Sequence, residues 1–183
     1  AWGGENGANP LIMSSDESGF VNQLNNNLRS RISADLDLGF ITEGLSANGY
    51  IGIRKWTADT KNWYTPWTVY IFQEGTNEYV PQAGFSQQGN QRILRETFWK
   101  YDEVMLNGTI RYNRTFDGHT VRGFVGYEQF SSEQREFFAE RKDFPTDDHQ
   151  ELFAGSDEGQ ISSGGSFEWG RLNYFGSLSY DFQ

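Results

Sequence analysis

The chain has 183 residues, no cysteine, and 25 acidic against 15 Lys or Arg side chains, for a formal charge of −10. That balance excludes nucleic-acid binding, which needs clustered cations, and the lack of Cys excludes disulfides and thiolate metal sites. Hydrophobic residues reach only 36% and mean hydropathy is −0.69, yet aromatics make up 16%, which excludes disorder and points to extended structure with many turns.

No run of about 18 apolar residues occurs, so no transmembrane helix is expected. A transmembrane strand, by contrast, needs only about 9–11 residues with alternate ones apolar. The chain begins Ala1-Trp2-Gly3-Gly4, without an initiator Met, a basic leader or an apolar signal core. It stops within an apparent strand, Leu178-Ser179-Tyr180-Asp181-Phe182-Gln183. Both ends therefore read as cuts.

A period of two dominates the chain. Over residues 28–42 the even positions Leu28, Ile32, Ala34, Leu36, Leu38 and Phe40 are apolar, while Arg29, Arg31, Asp35 and Asp37 fill the odd ones. A helix would scatter these charges around its circumference, so the segment is a strand. Glu43-Gly44 supplies a tight turn, Gly being free to take positive φ. Apolar parity then moves to Leu45, Ala47, Gly49, Ile51 and Ile53, giving a second strand over residues 45–55. The third strand, residues 98–116, sets Val104, Leu106, Ile110 and Tyr112 against Glu103, Asn107, Thr109 and Arg111. Asp117-Gly118 makes the next turn. Val121, Gly123, Val125 and Tyr127 then oppose Arg122, Phe124, Gly126 and Glu128 over residues 119–130, and Leu172, Tyr174, Leu178, Tyr180 and Phe182 oppose Arg171, Asn173, Ser177 and Asp181 over residues 169–182.

The connections alternate between short turns and two long stretches, residues 56–97 and 131–165. Long structureless loops are uncommon in compact soluble domains, whereas short turns at one end and long loops at the other are the habit of outer-membrane barrels. The expectation is an all-β fold: about five strands of a larger antiparallel, up-and-down transmembrane β-barrel. Its apolar parities would face lipid, and Arg29, Arg31, Asp35, Asp37, Arg54, Arg111, Arg122 and Glu128 would line the wet interior. A charged face on an ordinary antiparallel sheet exposed to water is the competing explanation.

No catalytic constellation stands out. His119 and His149 fall in a turn and a polar loop, and a Ser-His-Asp arrangement would have to use one of them. Asp143, Asp147, Asp148, Glu151, Asp157 and Glu158 crowd one loop, but without EF-hand spacing they read as a solvated acidic segment rather than a metal site. In the first long loop Trp63, Tyr64 and Trp67 are candidates for contact with a substrate or partner, since exposed Trp and Tyr stack on sugars and anchor interfaces. An interfacial girdle or loop packing would use the same residues.

Several motifs resemble those of the SusC/RagA-type TonB-linked outer-membrane proteins of Bacteroidota. Asn9-Pro10-Leu11, the Asn-rich run into the first strand and Glu43-Gly44-Leu45 are similar to that family's mid-barrel hairpin. Tyr112-Asn113-Arg114-Thr115-Phe116-Asp117-Gly118-His119 and Gly126-Tyr127-Glu128-Gln129 resemble the turn and strand ending that follow. Asp143-Phe144-Pro145, Ala154-Gly155, Ser163-Gly164-Gly165, Trp169 and the stretch Arg171-Leu172-Asn173-Tyr174-Phe175-Gly176 come in family order.

The resemblance implies a barrel of about 22 strands around a plug. It implies a SusD-like lipoprotein lid, and TonB acting through the plug to drive uptake of glycans or oligopeptides across the cell outer membrane. It implies no enzyme activity and no cofactor. Plug, TonB-interacting segment and remaining strands are not found in this sequence. The alternative is a soluble β-sandwich or jelly-roll module that binds carbohydrate through its aromatics. An all-β glycosidase would need a carboxylate pair that nothing here selects.

Overall fold

A computed structural model describes residues 8–84 and 90–182. Ala1–Gly4 and Gln183, at the ends read as cuts, lie outside the described residues. After a one-turn helix, α1 (Pro10–Met13), whose first amides are capped by the Asn9 side chain, the chain is mostly strand, with longer connections over residues 38–44 and 143–160. The strands are β1 (Gly19–Asp37), β2 (Leu45–Tyr64), β3 (Thr68–Gln73), β4 (Glu78–Ala83), β5 (Ile93–Phe116), β6 (His119–Lys142) and β7 (Ile161–Phe182). Five of them form one antiparallel sheet in the order β1-β2-β5-β6-β7; β3 and β4 form a separate hairpin.

The five strands predicted from alternation are all present, but they run further than predicted. β2 continues to Tyr64 and β6 to Lys142, while β5 starts at Ile93 and β7 at Ile161. No sustained apolar–polar alternation marks these extensions: Glu133-Gln134-Arg135-Glu136 is polar throughout, whereas Ile93-Leu94 and Phe137-Phe138 put apolar side chains on both parities. Ladder hydrogen bonds hold them extended regardless of side chain. The two long loops shrink accordingly to residues 65–92 and 143–160, and the first contains the β3–β4 hairpin. β1, in turn, ends at Asp37 rather than near residue 42. The Asp37 carboxylate accepts from Gly39 N at 2.8 Å and folds the chain into a bend, so Phe40, assigned by parity to the strand, lies exposed in the connection.

Two turns show why glycine was needed. Asp117 and Gly118 have φ of 47° and 81°, positive at both central positions as a type I′ hairpin requires. Gly44 has φ of 87°, its carbonyl accepts from Asn113 N at 2.9 Å, and a Cβ there would fall on the Asn113 carbonyl oxygen.

The chain divides into two compact units. The first comprises residues 1–25, 58–99 and 136–165. Its core is Trp63, Leu94 and Phe144, joined by Phe20, Leu152 and Ala154; Trp63 meets Phe144 edge-on at 4.8 Å. The second comprises residues 26–57, 100–135 and 166–183 and holds the strands with alternating faces.

Candidate functional site

In the second unit the two parities separate into two chemically distinct faces. On the apolar face, Tyr127 and Tyr174 touch ring to ring at 5.4 Å, and a Cβ on Gly123 would reach Leu178. Ala47, Ile110, Val125, Tyr127 and Tyr174, from four strands, line one shallow hollow of ≈ 420 Å³. These side chains are not covered: Tyr174 is 76% and Leu178 78% exposed, and Leu28, Ile32, Leu36, Val104, Leu106, Ile110 and Val125 are exposed too. An exposed apolar area this extensive marks an interaction surface rather than a water-facing one.

The face is graded along the strands. Near the β5–β6 turn, His119 lies against Phe182 at 4.7 Å and Phe116 at 5.8 Å, and its Nδ1 shares a 2.7 Å hydrogen bond with the Tyr180 hydroxyl. Aliphatic side chains follow, then the Tyr127–Tyr174 pair. Beyond that pair the same parity turns charged, with the Lys100–Asp102 ion pair at 2.6 Å, Arg135–Glu133 at 3.8 Å, and the exposed Lys55 and Glu168. An aliphatic belt between two aromatic girdles, ended by charge, is the profile of a lipid-facing barrel wall.

The opposite face is polar and internally bonded. Glu128 accepts from Arg171 at 2.9 Å and from Asn173 at 3.1 Å. Arg31 lies over the Tyr50 ring at 3.6 Å, and Arg122 stands 3.9 Å from Asp181. Arg54 lies over Tyr101 at 5.6 Å, and the Tyr101 hydroxyl donates to Glu103 at 2.9 Å. Arg29, Asp35, Asp37 and Arg111 are exposed. Parity thus groups the eight residues expected to line an interior with Tyr50 and with Tyr101, Phe130 and Trp169, the last three of which the sequence reading left out. Phe130 and Trp169 meet at 5.1 Å, and Arg171 lies 5.8 Å from the Trp169 ring. Extending the odd parity of Arg171 back two residues would have found Trp169.

The aromatic trio of the first long loop separates. Trp63 is 2% exposed and belongs to the core of the first unit, so it offers no contact surface. Its position at the end of β2, rather than in a loop, is the reason. Tyr64 and Trp67 are half-buried. Trp67 packs at the base of the hairpin, where its carbonyl accepts from Gly84 N at 2.7 Å and its indole Nε1 is buried without an acceptor.

The acidic loop is tied down by cations. Arg92 donates to both Asp147 oxygens, at 2.7 and 3.2 Å, and to the Phe144 carbonyl at 3.4 Å. Lys61 meets Glu151 at 2.9 Å, and Arg141 meets Asp157 at 2.7 Å. The Arg92 guanidinium holds the Asp147 carboxyl below the usual carboxylate range, chiefly through these hydrogen bonds, against a smaller opposing effect of burial. These carboxylates therefore act as loop anchors.

No family model matches the sequence, and no curated protein matches it. Solved structures do. The RagAB peptide transporter is similar with a TM-score of 0.69 at 17% identity, over 88% of this chain and 16% of that one. The RagAB peptide importer gives 0.65 in its "closed-closed" state and 0.64 in its "open-open" state, each at 16% identity over 88% of this chain and 16% of that one. The chain thus spans about one sixth of the length of the structures it matches. Those relatives in fold are transporters rather than enzymes. What this chain shares with them is architecture: an antiparallel all-β sheet of five strands, part of a barrel.

Proposed function

We propose that this chain is a section of the wall of a TonB-linked outer-membrane transporter of the SusC/RagA kind, taking up oligopeptides. The observation that carries the reading is the uncovered belt of Leu28, Ile32, Leu36, Ile110, Val125, Tyr174 and Leu178, bounded by aromatic girdles. Lipid is the partner that makes such a surface stable. Arg29, Arg31, Asp35, Asp37, Arg54, Arg111, Arg122 and Glu128 then line the wet interior toward a plug. A SusD-like lipoprotein would meet the long connections. The likeness to a peptide transporter favours peptides over glycans as cargo.

A soluble carbohydrate-binding sandwich needs its apolar rows buried against a second sheet. Their exposure speaks against it.

The test is uptake of labelled oligopeptides by cells producing the full-length protein, with and without TonB, together with fractionation. Outer-membrane location and uptake that vanishes without TonB are expected. A protein recovered in the soluble fraction, or uptake indifferent to TonB, refutes the proposal.

A further inference from the structure

Charge is unevenly placed along the chain. The second unit holds 10 acidic and 10 basic side chains and is neutral; the first holds the other 15 acidic and 5 basic ones, so the whole net charge of −10 belongs to it. All 5 of those cations are engaged inside the first unit, each within 3.7 Å of a carboxylate. Lys61 meets Glu96 and Glu151, Arg92 meets Asp147, Arg95 and Lys142 meet Glu140, and Arg141 meets Asp157. No Lys or Arg occurs between Lys61 and Arg92, the stretch that contains the β3–β4 hairpin, whereas Glu74 and Glu78 flank its turn and are exposed.

The hairpin has two unlike faces. Its register pairs Tyr70 with Pro81 and Phe72 with Tyr79, which puts these four side chains on one side, and the Phe72 and Tyr79 rings meet at 5.2 Å. The other side is the packed one, with Val69 fully buried and Ile71 and Val80 half-buried. The aromatic side is open: Tyr70, Phe72 and Tyr79 are 49%, 40% and 59% exposed. Aromatic rings gathered on one exposed face make a contact surface.

The surrounding charge selects the occupant. An aromatic ring attracts cations to its face, and an uncompensated field of carboxylates draws the same cations from a distance. The first unit already makes this contact internally, with the Arg95 guanidinium carbon 3.8 Å from the centre of the Phe138 ring. A neutral sugar would stack on the rings but gain nothing from the charge, and an anionic partner would be repelled.

We propose that the face formed by Tyr70, Phe72 and Tyr79 docks a Lys- or Arg-rich oligopeptide, its cationic side chains lying over the rings and its approach steered by the acidic first unit. The proposal rests on the peptide-uptake reading and narrows the cargo to cationic peptides. Each cation over an exposed ring is worth about two- to fivefold in affinity, so three rings together supply about tenfold or more.

The test is calorimetric titration of the full-length protein in non-ionic detergent with a decapeptide of alternating Lys and Ala and with its Gln–Ala counterpart. At about 0.05 M salt the Lys peptide should bind about tenfold or more tighter than the Gln peptide. At about 0.5 M, where charges reach only a few ångström, that advantage should shrink to the part made at ring contact. Tyr70→Thr, Phe72→Thr and Tyr79→Thr together keep strand-forming residues on an exposed face, so they should leave the thermal melt unchanged while weakening the Lys peptide about tenfold. Glu74→Gln with Glu78→Gln should weaken the Lys peptide a few-fold, and at low salt only. A native protein that binds both peptides equally overturns the cationic preference while peptide binding itself stands. A Lys preference that survives intact in the triple variant overturns the hairpin as its site. Failure of both peptides to bind the native protein overturns the peptide-uptake reading and this proposal with it.

Discussion

Replacing Leu178 by Arg puts a charge near the middle of the apolar row of β7, which runs from Leu172 to Phe182. About ten residue steps of about 3.3 Å, tilted by about 40°, project to about 25 Å across the membrane, which places Leu178 near the midplane. Withdrawing a leucine side chain from hydrocarbon forfeits about 1–2 kcal/mol of the burial energy of a largely uncovered residue. An arginine at that depth costs about 2–4 kcal/mol more, so the change should total about 3–6 kcal/mol. Ser179→Arg, one residue on and facing the polar side, should cost under about 0.5 kcal/mol. The assay is urea titration of the full-length protein folded into lipid vesicles, followed by tryptophan fluorescence. In a soluble protein an exposed Leu→Arg change is nearly neutral. Equal effects at positions 178 and 179, or a harmless Leu178→Arg, would refute the assignment of faces.

Gly44→Ala meets both a φ of 87° and the Asn113 carbonyl, and should destabilise the same protein by about 1–3 kcal/mol, whereas Gly75→Ala, with open space around it, should not. Trp63→Ala removes the largest side chain of the first unit's core and should cost about 3–5 kcal/mol, read by the same titration. The Asp147–Arg92 pair carries a signature in acid. Because the folded carboxyl is held below its ordinary value of about 3.9, its contribution is complete above that pH and is lost as pH falls through the folded value. The pair is partly exposed, so the effect should stay under about 1 kcal/mol. Proteolysis within residues 143–151 should therefore accelerate on going from pH 6 to pH 3, and Asp147→Asn should flatten that dependence.

The sheet was legible wherever apolar and polar side chains alternate along a strand. From Leu45 to Ile53, or Leu172 to Phe182, parity alone identified the strand, and the Glu43-Gly44 and Asp117-Gly118 turns identified its hairpin mates. Legibility stopped where both faces of a strand meet polar surroundings. Glu133 to Lys142 continues β6 without contrast, so a loop was expected. The β3–β4 hairpin escaped for a related reason: Tyr70 and Phe72 alternate with Val69 and Ile71, so neither parity is polar. Its turn is closed by Asn77 at φ 56° rather than by a glycine pair. Trp63 was misread because an aromatic in a presumed loop looks like a contact residue until its neighbour in space, Phe144, is known.

In the proposed transporter wall, the distance between the two aromatic girdles would also gauge bilayer thickness. An average hydrocarbon core is about 30 Å thick, while the bacterial outer membrane is thinner. A belt of about 20 Å, the eight residue steps from Tyr174 to Phe182 at the same rise and tilt, would leave polar rims such as Lys100–Asp102 immersed in a thicker bilayer, at a fraction of a kcal/mol for each ångström of mismatch. Summed around a wall, that mismatch discourages residence in the wrong membrane without any receptor reading an address. The positions of Tyr127, Tyr174, His119 and Phe182 would then help to sort the protein as well as to hold it upright.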